Sequence, residues 1–261
     1  MSAGGLPRRV LITGAAGAIG SCLRAGLRAL VDEIVLTDVR TLEPTAGERF
    51  VQADLVDRDA IRSAAEGVDA VVHLGAVPTE ASFDELVGPN IVGTFNVFEA
   101  ARRNDVGRVV FASSNHAAGF YPVEQHLTGS EAPRPDTLYG VTKAYGEALG
   151  RFYVDKFGLD VVCIRIGGFL TRPRQERDLS TWLSPDDAVR LFAACLSARD
   201  VGYRVVYGAS ANTRLRWDLS PARELGYEPQ DDAECYADGV GGEPHERHGG
   251  SFTARDMGGW A

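Results

Sequence analysis

Between an apolar run at Arg9 to Thr13 and a helical pattern from Ile19 lies the segment T-G-A-A-G-A-I-G, with Gly14, Gly17 and Gly20 three residues apart. A strand that enters a helix through such a turn commits the chain to a parallel sheet covered by helices. Each glycine has a physical purpose there. One permits the tight turn, one lets backbone N–H groups approach a pyrophosphate, and one lets the helix pack on its strand, while the helix N-terminus favours the phosphate charge. Gly14, Gly17, Ala18, Ile19 and Gly20 are therefore candidate dinucleotide-binding residues.

The rest of the chain follows that commitment. Short β-branched runs at Glu33 to Thr37, Arg49 to Gln52, Ala70 to Leu74, Arg108 to Ala112, Val161 to Ile166 and Arg204 to Tyr207 alternate with helical patterns. The helices are expected near Ile19 to Leu30, Asp59 to Ala65, Asn90 to Asn104, Leu138 to Phe157 and Pro185 to Ala198, the last capped by Ser184. The expected fold is a Rossmann-type, doubly wound α/β sheet with a small C-terminal substrate-binding appendage at about 208–261. At 261 residues a single unit is expected. Two connections, Asn115 to Thr137 and Gly167 to Leu183, leave carboxyl ends of strands and are the candidate substrate loops. The segment after Gln230 lacks periodicity and reads as irregular and peripheral.

A formal net charge of −9 argues against nucleic acid or an anionic membrane as a partner. No apolar run approaches the roughly 20 residues of a membrane span, and the N-terminus lacks a leader-like segment, so a cytoplasmic protein is expected. The cysteines Cys22, Cys163, Cys195 and Cys235 are scattered and read as reduced core thiols. His245 and His248 in P-H-E-R-H lack a carboxylate or thiol partner in a rigid frame, and no metal site is expected.

Candidate binding and catalytic residues fall at strand ends. Asp38 closes I-V-L-T-D, where a carboxylate accepts from ribose hydroxyls and repels a 2′-phosphate, favouring NAD over NADP despite Arg40 nearby. Tyr139 and Lys143, in Y-G-V-T-K, stand four apart on one helix face. Only two of the 27 basic residues are lysines, so this placement carries weight. The ammonium is expected to lower the phenol's pKa, so that Tyr139 takes a proton from a substrate hydroxyl. Ser114, ending F-A-S-S, stands where its hydroxyl bridges substrate and Tyr139.

Together the glycine segment, Asp38, H-L-G-A, F-A-S-S-N-H, Y-G-V-T-K, R-D-L-S-T-W and G-A-S-A-N resemble the extended short-chain dehydrogenases of the NAD-dependent epimerase/dehydratase family, and within them the uronate dehydrogenases. The resemblance spans Arg8 to about Tyr227. It implies NAD as cofactor and oxidation of a hexuronic acid at its anomeric carbon to the aldarolactone. It implies that Asp54, Leu55, Leu74, Gly75, Ala76, Asn90 and Ile166 join Tyr139 and Lys143 around the cofactor. Ser114, Asn115, His116, the position of Gly168 and Arg177 would then contact a small anionic sugar, with Arg177 on its carboxylate. Relatives pair as homo-oligomers through the helices near Asn90 to Asn104 and Leu138 to Phe157.

Two positions depart from the pattern, since Pro78 and Gly168 stand where the family has serines. A sugar epimerase or dehydratase shares the Tyr, Lys and Ser set and is the main competing expectation. A non-enzymatic dinucleotide-sensing protein of the same fold is the other.

Overall fold

A computed structural model describes residues 5–255. Its centre is a seven-stranded parallel sheet of β1 (Arg9–Thr13), β2 (Glu33–Asp38), β3 (Glu48–Gln52), β4 (Ala70–His73), β5 (Arg108–Ser114), β6 (Asp160–Ile166) and β9 (Tyr203–Gly208). The order is β3-β2-β1-β4-β5-β6-β9. The connections reverse direction between β1 and β4, the crevice where open α/β sheets bind ligands. All seven expected strands are present, and the doubly wound fold is the one read from the sequence.

Alternation along the strands divides the core in two. Val10, Ile12, Ile34 and Leu36 face α1 (Ala18–Leu27) and α7 (Pro185–Ser197), where they meet Leu23, Leu27, Leu191 and Phe192. Leu11, Val35, Val71 and Val109 face the other way, toward α2 (Arg58–Ala64), α4 (Thr94–Arg103) and α5 (Leu138–Phe157), meeting Ile61, Val97, Phe98 and Tyr153. Both faces are covered, which is why the strands read as continuous apolar runs.

Local chemistry sets the helix ends. Ser184 accepts from Asp187 N at 2.9 Å with Pro185 in the first turn, as expected. Thr137 caps α5 by accepting from Gly140 N at 2.9 Å, and Gly158, with φ of 71°, closes it in the left-handed conformation. A short α3 (Phe83–Leu86) carries a capping box between Ser82 and Glu85. It runs through a π-helical turn, Val87–Gly93, into α4, so the helix expected from Asn90 begins earlier and irregularly.

The candidate loops and the tail are more ordered than expected. The 167–183 connection holds a two-stranded parallel ribbon, β7 (Gly168–Phe169) with β8 (Trp182–Leu183), and a turn of helix, α6 (Asp178–Thr181). After β9 come α8 (Ser220–Arg223) and two 3-10 turns, Ala233–Gly239 and Gly250–Thr253. The tail is not peripheral: Ala233 and His248 are buried, and the strand-like passage of Arg247 beside Pro122 returns it to the first candidate loop. Its burial comes from long-range contacts that a search for periodicity cannot register. The thiols also need correction, since only Cys163 and Cys195 are core residues, while Cys22 is half-buried and Cys235 exposed. Among the described residues no helix is long and apolar enough to cross a membrane.

A buried ion pair joins sheet and helix below the crevice. Arg165 on β6 meets Glu147 on α5 through Nε and Nη2, both at 2.9 Å, and Ser113 Oγ donates to the same carboxylate at 2.6 Å. Removing one partner of such a pair strands a charge in low dielectric. Glu147→Leu should therefore lower unfolding stability by about 3–5 kcal/mol in urea titration; a loss below about 1 kcal/mol would mean that water reaches Arg165.

Candidate active site

At the carboxyl ends of β1, β2, β4, β5 and β6 lies a cleft of 1290 Å³. Gly14, Gly17, Ala18, Ile19, Gly20, Asp38, Asp54, Leu55, Leu74, Gly75, Ala76 and Ile166 line one part of it. Ser114, Asn115, His116, Tyr139, Lys143, Gly168 and Arg177 line the other. Nineteen of the twenty residues singled out in the sequence thus share one cavity. The exception is Asn90, whose side chain is buried beside it: Oδ1 accepts from Val77 N at 2.8 Å and Nδ2 donates to Val77 O and Thr142 Oγ1. Asn90 holds the Val77–Pro78 wall rather than facing the cleft.

The glycine turn is drawn tight enough to admit a pyrophosphate. Gly14 has φ of +67°, and a Cβ there would lie 2.7 Å from Gly75 N; at Gly20 it would lie 2.4 Å from Gly14 O. Any side chain would break the turn or lift α1 from β1. Asp38 stands at the end of β2 with its carboxylate accepting from Ala16 N and Arg40 N, both at 2.9 Å. The carboxylate thereby fixes the glycine turn and lines the cleft at the same time. The Arg40 guanidinium is largely exposed and reaches Asp38 only at 3.5 Å. His73 is structural, clamped between Thr13 Oγ1 (2.7 Å) and Thr94 Oγ1 (3.2 Å), and burial pushes its pKa down to about 3.

Tyr139 and Lys143 occupy the first turns of α5, which Glu80 also caps by accepting from Leu138 N (3.2 Å) and Tyr139 N (2.8 Å). Ser114 and Tyr139 line the same cleft, and Ser114 Oγ accepts from His116 N at 3.2 Å. Lys143 Nζ donates to Ala112 O at 2.7 Å and sits 5.5 Å from the centre of the Tyr139 ring. The expected lowering of the phenol's pKa is absent from this state. Burial pushes Tyr139 up to about 12, with Ser114 opposing, and burial pushes Lys143 down to about 8.

Beyond Tyr139 the candidates His116 and Arg177 are supported by residues the sequence did not disclose. His116 Nδ1 lies 2.8 Å from the fully buried Asp136 carboxylate, and Phe252 from the tail packs 4.6 Å from the His116 ring centre. Asp136 stands three residues before Tyr139, a proximity that could have flagged it; Glu80 and Phe252 carry no local signal. Arg177 is half-buried, donates from Nε (3.2 Å) and Nη2 (2.8 Å) to the His248 carbonyl, and lines the cleft. Neither Glu176 nor Asp178 forms an ion pair with it among the described residues. Trp182 and Trp217 are buried packing residues and His126 is exposed, as expected.

A Rossmann sheet with this glycine turn, a strand-end acid and a Ser, Tyr and Lys set at one cleft defines an NAD-dependent oxidoreductase acting on a CH–OH group. Residues 10–184 match the NAD dependent epimerase/dehydratase family, and the chain belongs to it. It is 44% identical over 238 residues to a uronate dehydrogenase of Pseudomonas putida, covering 90% of this chain and 89% of that one. It is 39% identical to an NAD-dependent glucose-6-phosphate dehydrogenase of Haloferax volcanii, covering 86% and 94%. The crystal structure of a uronate dehydrogenase from Agrobacterium tumefaciens superposes with a TM-score of 0.91 at 39% identity, over 96% of this chain and 98% of that one.

The buried lysine carries a stability cost with a defined sign. Its folded pKa, about 8, lies below the ordinary 10.5, so the folded state binds its proton more weakly than the unfolded chain. The penalty is full below about pH 8 and fades as pH rises toward 10.5. Lys143→Met in the protein without cofactor should therefore gain about 1–3 kcal/mol at pH 6.5 and little at pH 10, read by urea unfolding. A gain independent of pH would refute burial as the cause.

Proposed function

We propose that the enzyme oxidises a hexuronic acid at its anomeric carbon, yielding the aldarolactone and NADH. The single observation behind this substrate class is Arg177, a desolvated guanidinium facing the same cleft as Tyr139 in a protein of net charge −9. Burial lowers its pKa, so a fixed anion beside it recovers part of that dehydration. With Nε and Nη2 engaged by His248, Nη1 is the corner left to meet a carboxylate.

NAD⁺, when bound, supplies the hydride acceptor and a positive ring charge. The glycine turn and the N-terminus of α1 take its pyrophosphate, and Asp38 takes the adenosine ribose. Ser114 orients the anomeric hydroxyl toward Tyr139 Oη, and Tyr139, once it has given up its own proton to solvent as the phenolate, accepts the hydroxyl proton. Lys143, anchored on Ala112 O, meets the nicotinamide ribose and keeps positive charge near the phenol. Asp136 fixes the orientation of His116, and His116 with Asn115 meets the sugar hydroxyls. Pro78 and Gly168 offer no hydroxyl to the substrate; this should relax discrimination between epimers, since a site discriminates strongly only at hydroxyls it hydrogen-bonds.

Glucuronate and galacturonate with NAD⁺ should yield stoichiometric NADH, whereas an epimerase returns its hydride and releases none. Tyr139→Phe should lower kcat by about 10²-fold with NAD⁺ binding retained. Near-normal turnover would move the proton acceptor elsewhere. Arg177→Ala should cost about 2–4 kcal/mol in kcat/KM for a uronate and leave a neutral aldose almost untouched. Equal losses would make Arg177 structural, and a wild-type preference for neutral sugars would overturn the uronate assignment.

The exposed Val141, Phe152 and Phe157 on α5, with Val92 on the adjoining π-helical turn, suit a symmetric contact between two copies of the chain. Light scattering should give the mass of a dimer; a monomer across micromolar concentrations would refute it.

A further inference from the structure

His248 is a buried imidazole that the proposed chemistry does not use, yet every polar atom of the residue is engaged. Nδ1 accepts from Trp217 Nε1 at 3.1 Å, and this leaves Nε2 as the protonated nitrogen, donating to Gln125 O at 3.0 Å. The backbone N donates to Tyr121 O at 3.0 Å, and the carbonyl accepts from both Nε and Nη2 of Arg177. The ring is thus pinned at both ends, by groups from two different segments, and the pinned residue aims its carbonyl at one guanidinium. Asn115 completes the clamp once its amide is turned to the orientation its neighbours require, in which Oδ1 accepts from Arg177 Nη2 at 2.8 Å and Nδ2 donates to Ile166 O at 3.2 Å.

The chain on either side leaves little slack. Gly249 N donates to Gly119 O at 2.9 Å. Gly250 has φ of +63°, and a Cβ there would lie 2.7 Å from Arg177 Cδ. A longer or differently oriented passage of the tail would displace the arginine stem.

We propose that His248 is a positioning residue for substrate specificity, acting through Arg177 to hold the guanidinium where it meets the substrate carboxylate. The inference rests on the assignment of Arg177 to that carboxylate. Nε and Nη2 are fixed on a backbone oxygen that cannot titrate away, so Nη1 is presented at one point of the cleft. A guanidinium free to swing would lose affinity for an anion while leaving proton and hydride transfer at Tyr139 unaltered.

The test compares His248→Leu, His248→Gln, Trp217→Phe and Arg177→Ala with the wild type, on glucuronate and on a neutral aldose, with NAD⁺ affinity measured alongside. Leucine strands the Trp217 N–H and the Gln125 carbonyl, whereas glutamine restores one acceptor and one donor. His248→Leu should raise KM for glucuronate about 30-fold or more, with kcat within about threefold and the aldose and NAD⁺ unaffected. His248→Gln should recover most of that loss. Trp217→Phe, which removes one pin and keeps the imidazole, should raise the same KM by about 3–10-fold, and it decides the matter if the leucine variant does not fold. If Arg177→Ala is selective for the acid but the His248 and Trp217 variants lose acid and aldose equally, or lose nothing, the positioning role falls and the function stands. If the wild type oxidises no uronate, both fall together.

Discussion

Everything at the cleft depends on how closely α5 can lie against the sheet. The helix presents no side chain at Gly146, where a Cβ would lie 2.3 Å from the Phe111 ring, or at Gly140, where it would lie 2.4 Å from the His116 carbonyl. This approach brings the stretch from Tyr139 to Glu147 against the end of β5. Tyr139 lines the cleft with Ser114, Lys143 donates to the Ala112 carbonyl, and Glu147 accepts from Ser113 and Arg165. Three side chains four residues apart thus read three consecutive positions of β5, Ala112 to Ser114. The spacing of a helix and the rise of a strand together supply a register that no single interaction would fix.

Those positions also divide the electrostatic labour. Glu147 and Arg165 pair deep under the site, so neither charge is left alone in low dielectric. Among the described residues Lys143 has no carboxylate within ion-pair distance, and its ammonium donates to a carbonyl beside a phenol whose pKa burial raises. That arrangement is common where catalytic groups must change protonation state.

Much of this was legible in the chain because the informative signals are local. The glycine turn, the strand-end Asp38 and the four-residue spacing of Tyr139 and Lys143 each depend on neighbours in sequence. The parallel sheet follows from runs such as V-V-C-I-R-I that are buried on both faces. Asn90 stands beside the cleft rather than in its lining, because its bridge between Val77 and Thr142 is set by a π-helical turn that no periodicity announces. His248 and Phe252 were read as an irregular end because their burial depends on Trp217, Gln125 and His116, partners about thirty to well over a hundred residues away. The pKa expectation for Tyr139 failed for a related reason: spacing places a lysine near a tyrosine but says nothing about how much water either retains.

The passage of the tail over the cleft has a consequence in time. The glycine turn, Asp38, Tyr139 and Lys143 all precede residue 144, and β6 is complete by Ile166, so a nascent chain holds these parts before the segment that carries His248 and Phe252 has emerged. His248, which holds Arg177, and Phe252, which packs on His116, come from a segment made much later, so the two parts of the cleft are completed in sequence, the glycine turn before the Arg177 side.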